Sequence, residues 1–192
     1  MRSLLKVIED IVCMYKLPEI LETSFNNTKA YKLGIIDERG NRKNNITITT
    51  TEQRNAYTPF HKLAFNIKKL FESNKAIASH AAPLFLLKQK YNLSEKKIEQ
   101  LLEHLGLHVT DFLVEDSKWF VLEDGRLSPG VYKLAHPKVV NSTLDELARP
   151  NEFIKVDDKC YPVGSLFGIN IYEATHVRSQ QKVYVTVAEL KV

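Results

Sequence analysis

The residues of this chain that could do chemistry are six histidines, two cysteines, a few serines near glycines and several adjacent carboxylates. His104 and His108 stand four apart, the spacing that lets two imidazoles share a metal ion on a helix. Gly106 lies between them and is expected to end that helix, and neither has the adjoining glutamate of a His-Glu-x-x-His site. Contact with the last carbonyls of a helix explains them equally well. Cys13 and Cys160 are far apart and neither lies in a Cys-x-x-Cys pair, so a disulfide framework or zinc knuckle is not expected. Gly164-Ser-Leu-Phe-Gly only approaches a nucleophile elbow, because its first glycine is too near the serine and its second too far. The acidic pairs Glu115-Asp116, Glu123-Asp124, Asp145-Glu146 and Asp157-Asp158 fall mostly in turn-like sequence, where carboxylates shape the bend. A two-carboxylate hydrolase needs carboxyls facing each other across a cleft, which adjacency does not supply. Phosphate-binding and dinucleotide-binding glycine patterns are both missing. These residues predict no enzyme, no cofactor and no metal.

Basic and aromatic residues point elsewhere. The chain of 192 residues carries a net charge of +4, and the excess is uneven. Residues 1–110 hold 17 lysines and arginines against 11 acids, whereas residues 111–192 hold 10 against 12. Aromatics lie beside basic residues at Tyr31-Lys32, Phe60-His-Lys, Lys118-Trp119-Phe120 and Tyr132-Lys133, a combination that can stack on bases and grip phosphates. The same rings are equally suited to a core. Arg54, Lys62, Lys68 and Lys69, on the expected outer side of a long helix, are candidate contact residues. His176 and Arg178, at an expected hairpin, are a second candidate pair. Ordinary solvated surface is the plain alternative for all six.

The elements that would position these groups follow from periodicity. Ser3 to Leu17 has apolar residues at helical spacing, and Pro18 is expected to end that helix or begin a short turn. Leu33–Ile36 and Ile46–Thr50 flank the turn signal Asp37-Glu-Arg-Gly-Asn, which predicts a small hairpin or an extended arm. Glu52 to Ser73 is the clearest helical region. Pro59 suits a first helical position, so its continuous part is expected to start there, with Thr58 as cap. Lys75 to Tyr91 is apolar on nearly every side, and Pro83 is expected to kink or split it. Such a segment is either the centre of a core or an oligomer interface. Ser94 should cap a helix over Glu95–Leu105, closed by Gly106.

Beyond Gly106 the pattern changes to short β-rich runs at Trp119–Leu122, Val131–Leu134, Phe153–Val156, Ile169–Tyr172 and Lys182–Val187. Turns are expected at Asp157-Asp158, joining Phe153–Val156 to Cys160–Val163, and at Arg178-Ser-Gln. Leu144–Leu147 reads as one helical turn. The expected class is α+β: a helical domain over residues 1–106 and a small, mostly antiparallel β domain over 107–192. The longest apolar stretch, Ala76–Leu87, is too short for a membrane span, which needs roughly 20 residues. Glu9 and Asp10 interrupt any signal-peptide core, so neither a membrane partner nor a secretory signal is expected.

Several stretches resemble an uncharacterised, virion-associated protein family of large contractile-tailed bacteriophages. They are Lys32-Leu-Gly-Ile-Ile-Asp-Glu-Arg-Gly-Asn, the run from Thr51 to Leu70, and Ile77-Ala-Ser-His-Ala-Ala-Pro-Leu-Phe-Leu-Leu-Lys. Weaker likeness covers Val163–Arg178 and Gln181–Thr186, so that about half the chain is involved. At Glu72-Ser-Asn-Lys the chain lacks the glycine-rich connection of the relatives. The resemblance implies a structural protein of the capsid, neck or tail, located in the virion and in the host cytoplasm during assembly. Its implied partners are other virion proteins in a homo- or hetero-oligomeric assembly, and it carries no catalytic residue across. A soluble phage protein that binds nucleic acid through the basic helical half is the alternative expectation.

Overall fold

The computed structural model describes residues 15–73, 81–112, 120–144 and 147–192. The chain forms two compact units that divide after Ser73.

In the first unit, residues 15–22 are helical (α1), so Pro18 lies inside helix and does not end it. The rest of the expected N-terminal helix lies outside the described residues. Phe25 is buried in a single 3-10 turn, and Thr28 caps the short helix α2 (Lys29–Lys32) by accepting from the Tyr31 N–H at 3.2 Å. The Asp37 carboxylate closes the following turn, accepting from the backbone N–H of Arg39 (2.9 Å) and Asn41 (2.8 Å). Gly40 has φ +78°, and a Cβ there would lie 2.5 Å from the Phe25 ring, so this turn needs glycine on both counts. The expected hairpin is reduced to one bridge between Ile36 and Arg42. The Arg42 guanidinium supplies the reason. It donates to the carbonyls of Ile35, Lys43 and Ile46, so these acceptors are met without a strand ladder.

Thr50 and Gln53 form a reciprocal capping box that starts α3 (Thr51–Ala56). A break at Tyr57-Thr58 precedes α4 (Pro59–Ser73), whose Pro59 takes the first position as expected. Thr58 caps it: its carbonyl accepts from the Lys62 N–H at 3.0 Å and its hydroxyl from the His61 N–H at 3.4 Å. The region therefore holds two helices. The core gathers Phe25, Ile35, Ile36, Ala56, Tyr57 and Phe65, with the Phe25 and Phe65 rings edge to face at 5.8 Å.

The second unit contains α5 (Ala81–Tyr91), α6 (Glu95–His104) and the sheet. Both helices thus belong with the strands, and the division falls near residue 73, not near 106. The reason lies in α5, which covers strands of this unit. All residues from Ala81 to Leu87 are buried. Phe85 packs edge to face on Tyr184 at 5.2 Å and lies so close to Gly164 that a Cβ there would be 2.7 Å from the ring. The described part of the apolar segment is therefore interior to a single chain. That removes it as support for an oligomer interface. Pro83 falls in the first turn of the described helix, and the junction before it lies outside the described residues. Ser94 caps α6 by accepting from the Lys97 N–H, and Gly106 at φ +73° closes it.

The strands are β1 (Gly130–Leu134), β2 (Lys138–Val139), β3 (Leu147–Ala148), β4 (Phe153–Val156), β5 (Gly164–Leu166), β6 (Ile169–His176), β7 (Lys182–Val185) and β8 (Leu190–Lys191). The order is β5-β6-β4-β1-β8, with β7 also on β6, and every pairing is antiparallel. A 3-10 turn at Val187–Glu189 carries the chain from β7 to β8, which returns to β1. The class is α+β, as expected. Inward residues Tyr132, Leu134, Ile154, Val156, Tyr172, Ala174, Val183 and Val185 form the core.

Three local expectations fail. Cys160–Val163 does not pair with β4, whose neighbours are β1 and β6; Pro162 lacks the N–H that a ladder needs, and the Cys160 carbonyl accepts from Leu127 instead. Leu147–Ala148 is the strand β3, paired with β2, and Leu144 has φ +60°, so neither end of the expected helical turn is helical, while Asp145 and Glu146 lie outside the described residues. Val121 makes only a bridge to Leu127, while Trp119 lies outside the described residues.

Candidate nucleic-acid interface

Alternation along the strands decides which side chains face outward. On β1, Val131 and Lys133 are exposed between the buried Tyr132 and Leu134; on β4, Phe153 and Lys155 are exposed between Ile154 and Val156. Register then brings these residues together. Lys191, Lys133 and Phe153 lie opposite one another across β8, β1 and β4. Val131, Lys155, Thr175 and Lys182 form the next row across β1, β4, β6 and β7. Neighbouring positions are about 5 Å apart between strands and about 7 Å along one. One face of the sheet therefore presents four lysines together with an aromatic ring 47% exposed and a valine 59% exposed.

The Lys133 ammonium lies 5.9 Å from the Phe153 ring centroid. Lys182 donates to the Thr175 hydroxyl at 3.0 Å. Asp157 stands 3.8 Å from Lys155, an exposed pair that neutralises little. Further along the same face, α5 covers Tyr184, and the half-buried Glu173 lies opposite it.

The residues singled out from sequence do not form this surface. Arg54 lies on α3, exposed, with its guanidinium on the Thr49 carbonyl and the Thr51 hydroxyl. The Lys62 ammonium stands 5.5 Å from the Tyr57 ring. Lys69 reaches Asn41 at 3.5 Å. Lys68 is a correction: it is buried at 6% exposure, donates to the Leu21 carbonyl at 2.7 Å and pairs with Glu72 at 3.0 Å. An amine able to satisfy a carbonyl on α1 is drawn inward, so these four residues do not line one exposed face. Of the aromatic–basic pairs, Tyr132-Lys133 contributes one member, because Tyr132 faces the core while Lys133 faces out. Phe60 is buried.

His176 and Arg178 converge on Glu152. The His176 Nε2 is 3.0 Å from Glu152 Oε2, and Arg178 Nε donates to Oε1 at 2.7 Å. Burial opposes charge on Glu152, but the Arg149 N–H, the Arg178 guanidinium and the His176 ring hold its carboxyl below the usual glutamate range. His176 is fully buried, and its Nδ1 lies 2.8 Å from the Ser179 hydroxyl. The sequence of contacts from Ser179 through His176 to Glu152 has the members of a hydrolase triad. Yet the imidazole is sealed from solvent, and Ser179 is only three residues further along the same hairpin. These contacts clamp the β6–β7 turn onto the loop before β4, and His176 is no surface contact.

A second buried charge pair joins Lys138 to Glu189, whose other oxygen accepts from the Thr186 N–H. Burial pushes the Lys138 amine down to about 7. Such an amine suits nucleophilic catalysis when a substrate can reach it, but here it is 1% exposed and engaged by a carboxylate. Among the described residues no group of three or more histidines, cysteines or carboxylates could hold a metal ion, and no helix is long and apolar enough to cross a membrane. Comparison with protein-family models, curated proteins and solved structures gives no match.

Proposed function

We propose that this chain is a non-enzymatic protein of a tailed bacteriophage, as its resemblance implies, and that it binds single-stranded nucleic acid on the outer face of its C-terminal sheet. The observation that carries the reading is Phe153, exposed on β4, with Lys155 two residues along the same strand, Lys133 opposite on β1 and Lys191 beyond it on β8. An exposed ring stacks on any base, and a row of lysines across a sheet can follow a phosphate backbone. Protein–protein interface cores are enriched in aromatics but depleted in lysine, so this composition favours a polyanion over a protein surface. The basic helical half is the weaker candidate, since Lys68 and Arg54 are committed to contacts within their own unit.

Val131 and Phe153 would also serve a neighbouring protein in the capsid, neck or tail, the other role that the resemblance implies. A binding assay at low salt separates the two. The full chain should form a complex with a labelled single-stranded oligonucleotide, and Phe153→Ala should weaken it. A chain that ignores the oligonucleotide but is present at stoichiometric level in purified particles of the phage that encodes it would favour the protein-contact role.

A further inference from the structure

A polar concavity lies wholly within the first unit. It is a cleft of about 290 Å³ between α1, α2, α3 and α4. Ile20 and Phe65 contribute apolar walls, while Lys16, Lys29 and His61 bring nitrogen donors from three different helices. Glu19 is the carboxylate that lines it. Neither lysine ammonium lies within 4 Å of a carboxylate among the described residues, so the cleft holds an excess of positive charge.

Contacts with Thr58 fix the tautomer of His61. The Thr58 N–H points at His61 Nδ1 at 3.4 Å, and the Thr58 hydroxyl lies 2.8 Å from the same atom. A backbone N–H can only donate, so Nδ1 is the acceptor and the neutral ring carries its proton on Nε2. Burial and the nearby Lys16 charge both hold the ring neutral by lowering its pKa. Two lysines and this histidine are thus among the lining residues available to an anion in the cleft, with apolar wall beside them.

We infer that this cleft binds a phosphomonoester of about mononucleotide size, with the phosphate held by Lys16, Lys29 and His61 and the body of the ligand against Ile20 and Phe65. The volume is at the low end of small-molecule sites and matches a ligand of that size. Phosphate provides the several acceptor oxygens that three separated donors require. A free nucleotide and the 5′-phosphorylated end of a strand share this chemistry. The site is independent of the sheet face, because its lining belongs entirely to the first unit.

The test is calorimetric titration of the full chain with adenosine 5′-monophosphate, adenosine, and a dinucleotide with and without a 5′-phosphate. The monophosphate should bind at least roughly tenfold more tightly than adenosine, and Lys16→Ala and Lys29→Ala should each weaken it roughly tenfold, the effect of losing a charge-assisted hydrogen bond. Binding should move the His61 ring resonances. If the phosphorylated dinucleotide binds and the free nucleotide does not, a strand end is the ligand; the reverse assigns free nucleotide. Adenosine binding as tightly as its monophosphate would overturn the inference. So would unchanged affinity in the double lysine variant with native melting behaviour, or no response to any phosphate ligand at millimolar concentration.

Discussion

Lys138→Met tests the energetics of the second unit. In the native chain the Lys138 amine meets Glu189 in a site closed to water, and Glu189 also receives the Thr186 N–H that caps the turn into β8. Removing the lysine leaves a carboxylate buried without its cation, which costs about 3–5 kcal/mol. Domains of ordinary size are stable by about 5–15 kcal/mol, so the loss is a large fraction of the whole. Lys138→Met/Glu189→Leu removes both charges and sacrifices chiefly the Thr186 hydrogen bond, about 1 kcal/mol. The double variant should therefore lie well above the single one. Because the chain has two units, stability is best followed by urea titration with peptide-resolved hydrogen exchange over β1 and β8. Measured below pH 7, where Lys138 is charged, a single variant within about 1 kcal/mol of the native chain would refute the reasoning. Equal destabilisation of the single and double variants would refute it too. The pH dependence gives a second check. Lys138 titrates at about 7 in the folded chain, against an ordinary value of 10.5. Between those values the unfolded chain holds more protons, so stability rises with pH across this window, and Lys138→Met should remove that rise.

Glu152 acts in the opposite pH range. Its carboxyl is held below the usual range, so the stability it contributes is present above the ordinary glutamate pKa and is lost as pH falls through its lowered value. Glu152→Gln should flatten the acid limb of the stability profile, seen by denaturant titration at a series of acid pH values. Gly164→Ala should cost about 1–3 kcal/mol through overpacking against Phe85, and a Phe85→Leu background should recover part of the lost melting temperature. Thr50→Ala breaks the capping box of α3 and should lower the stability of the first unit by about 1 kcal/mol in the same exchange assay.

Local chemistry made parts of this fold readable. Thr58-Pro59 and Ser94 announce helix starts because a cap and a first-turn proline act within a few residues. Phe153-Ile-Lys-Val and Val131-Tyr-Lys-Leu alternate cleanly, so each strand and its inward face can be read. Pairing is different: β4 joins β1 and β6, both some twenty residues away, and nothing in the Asp157-Asp158 turn signals that. The β5–β6 hairpin turns at Phe167-Gly168, both with positive φ, and phenylalanine is not a residue that announces such a turn. Arg42 replaces an expected ladder through side-chain contacts that no periodicity contains. The candidate face shows the same division. Its outward lysines are visible strand by strand, but their assembly with Phe153 depends on register between distant segments. Likewise, the apolar α5 reads equally as core or interface until the strands that cover it are known.

Salt-dependent binding of the full chain to a single-stranded oligonucleotide, followed by fluorescence anisotropy, tests the central claim most directly. Four lysines on phosphates give a log–log slope of about −3, or roughly a fifty-fold loss of affinity between about 50 and 200 mM salt. Phe153→Ala should weaken binding roughly 5- to 150-fold with the slope retained. Lys133→Ala and Lys191→Ala should each reduce the slope by about 0.7. Absence of a complex at low salt, or a complex indifferent to Phe153 and these lysines, would contradict the account.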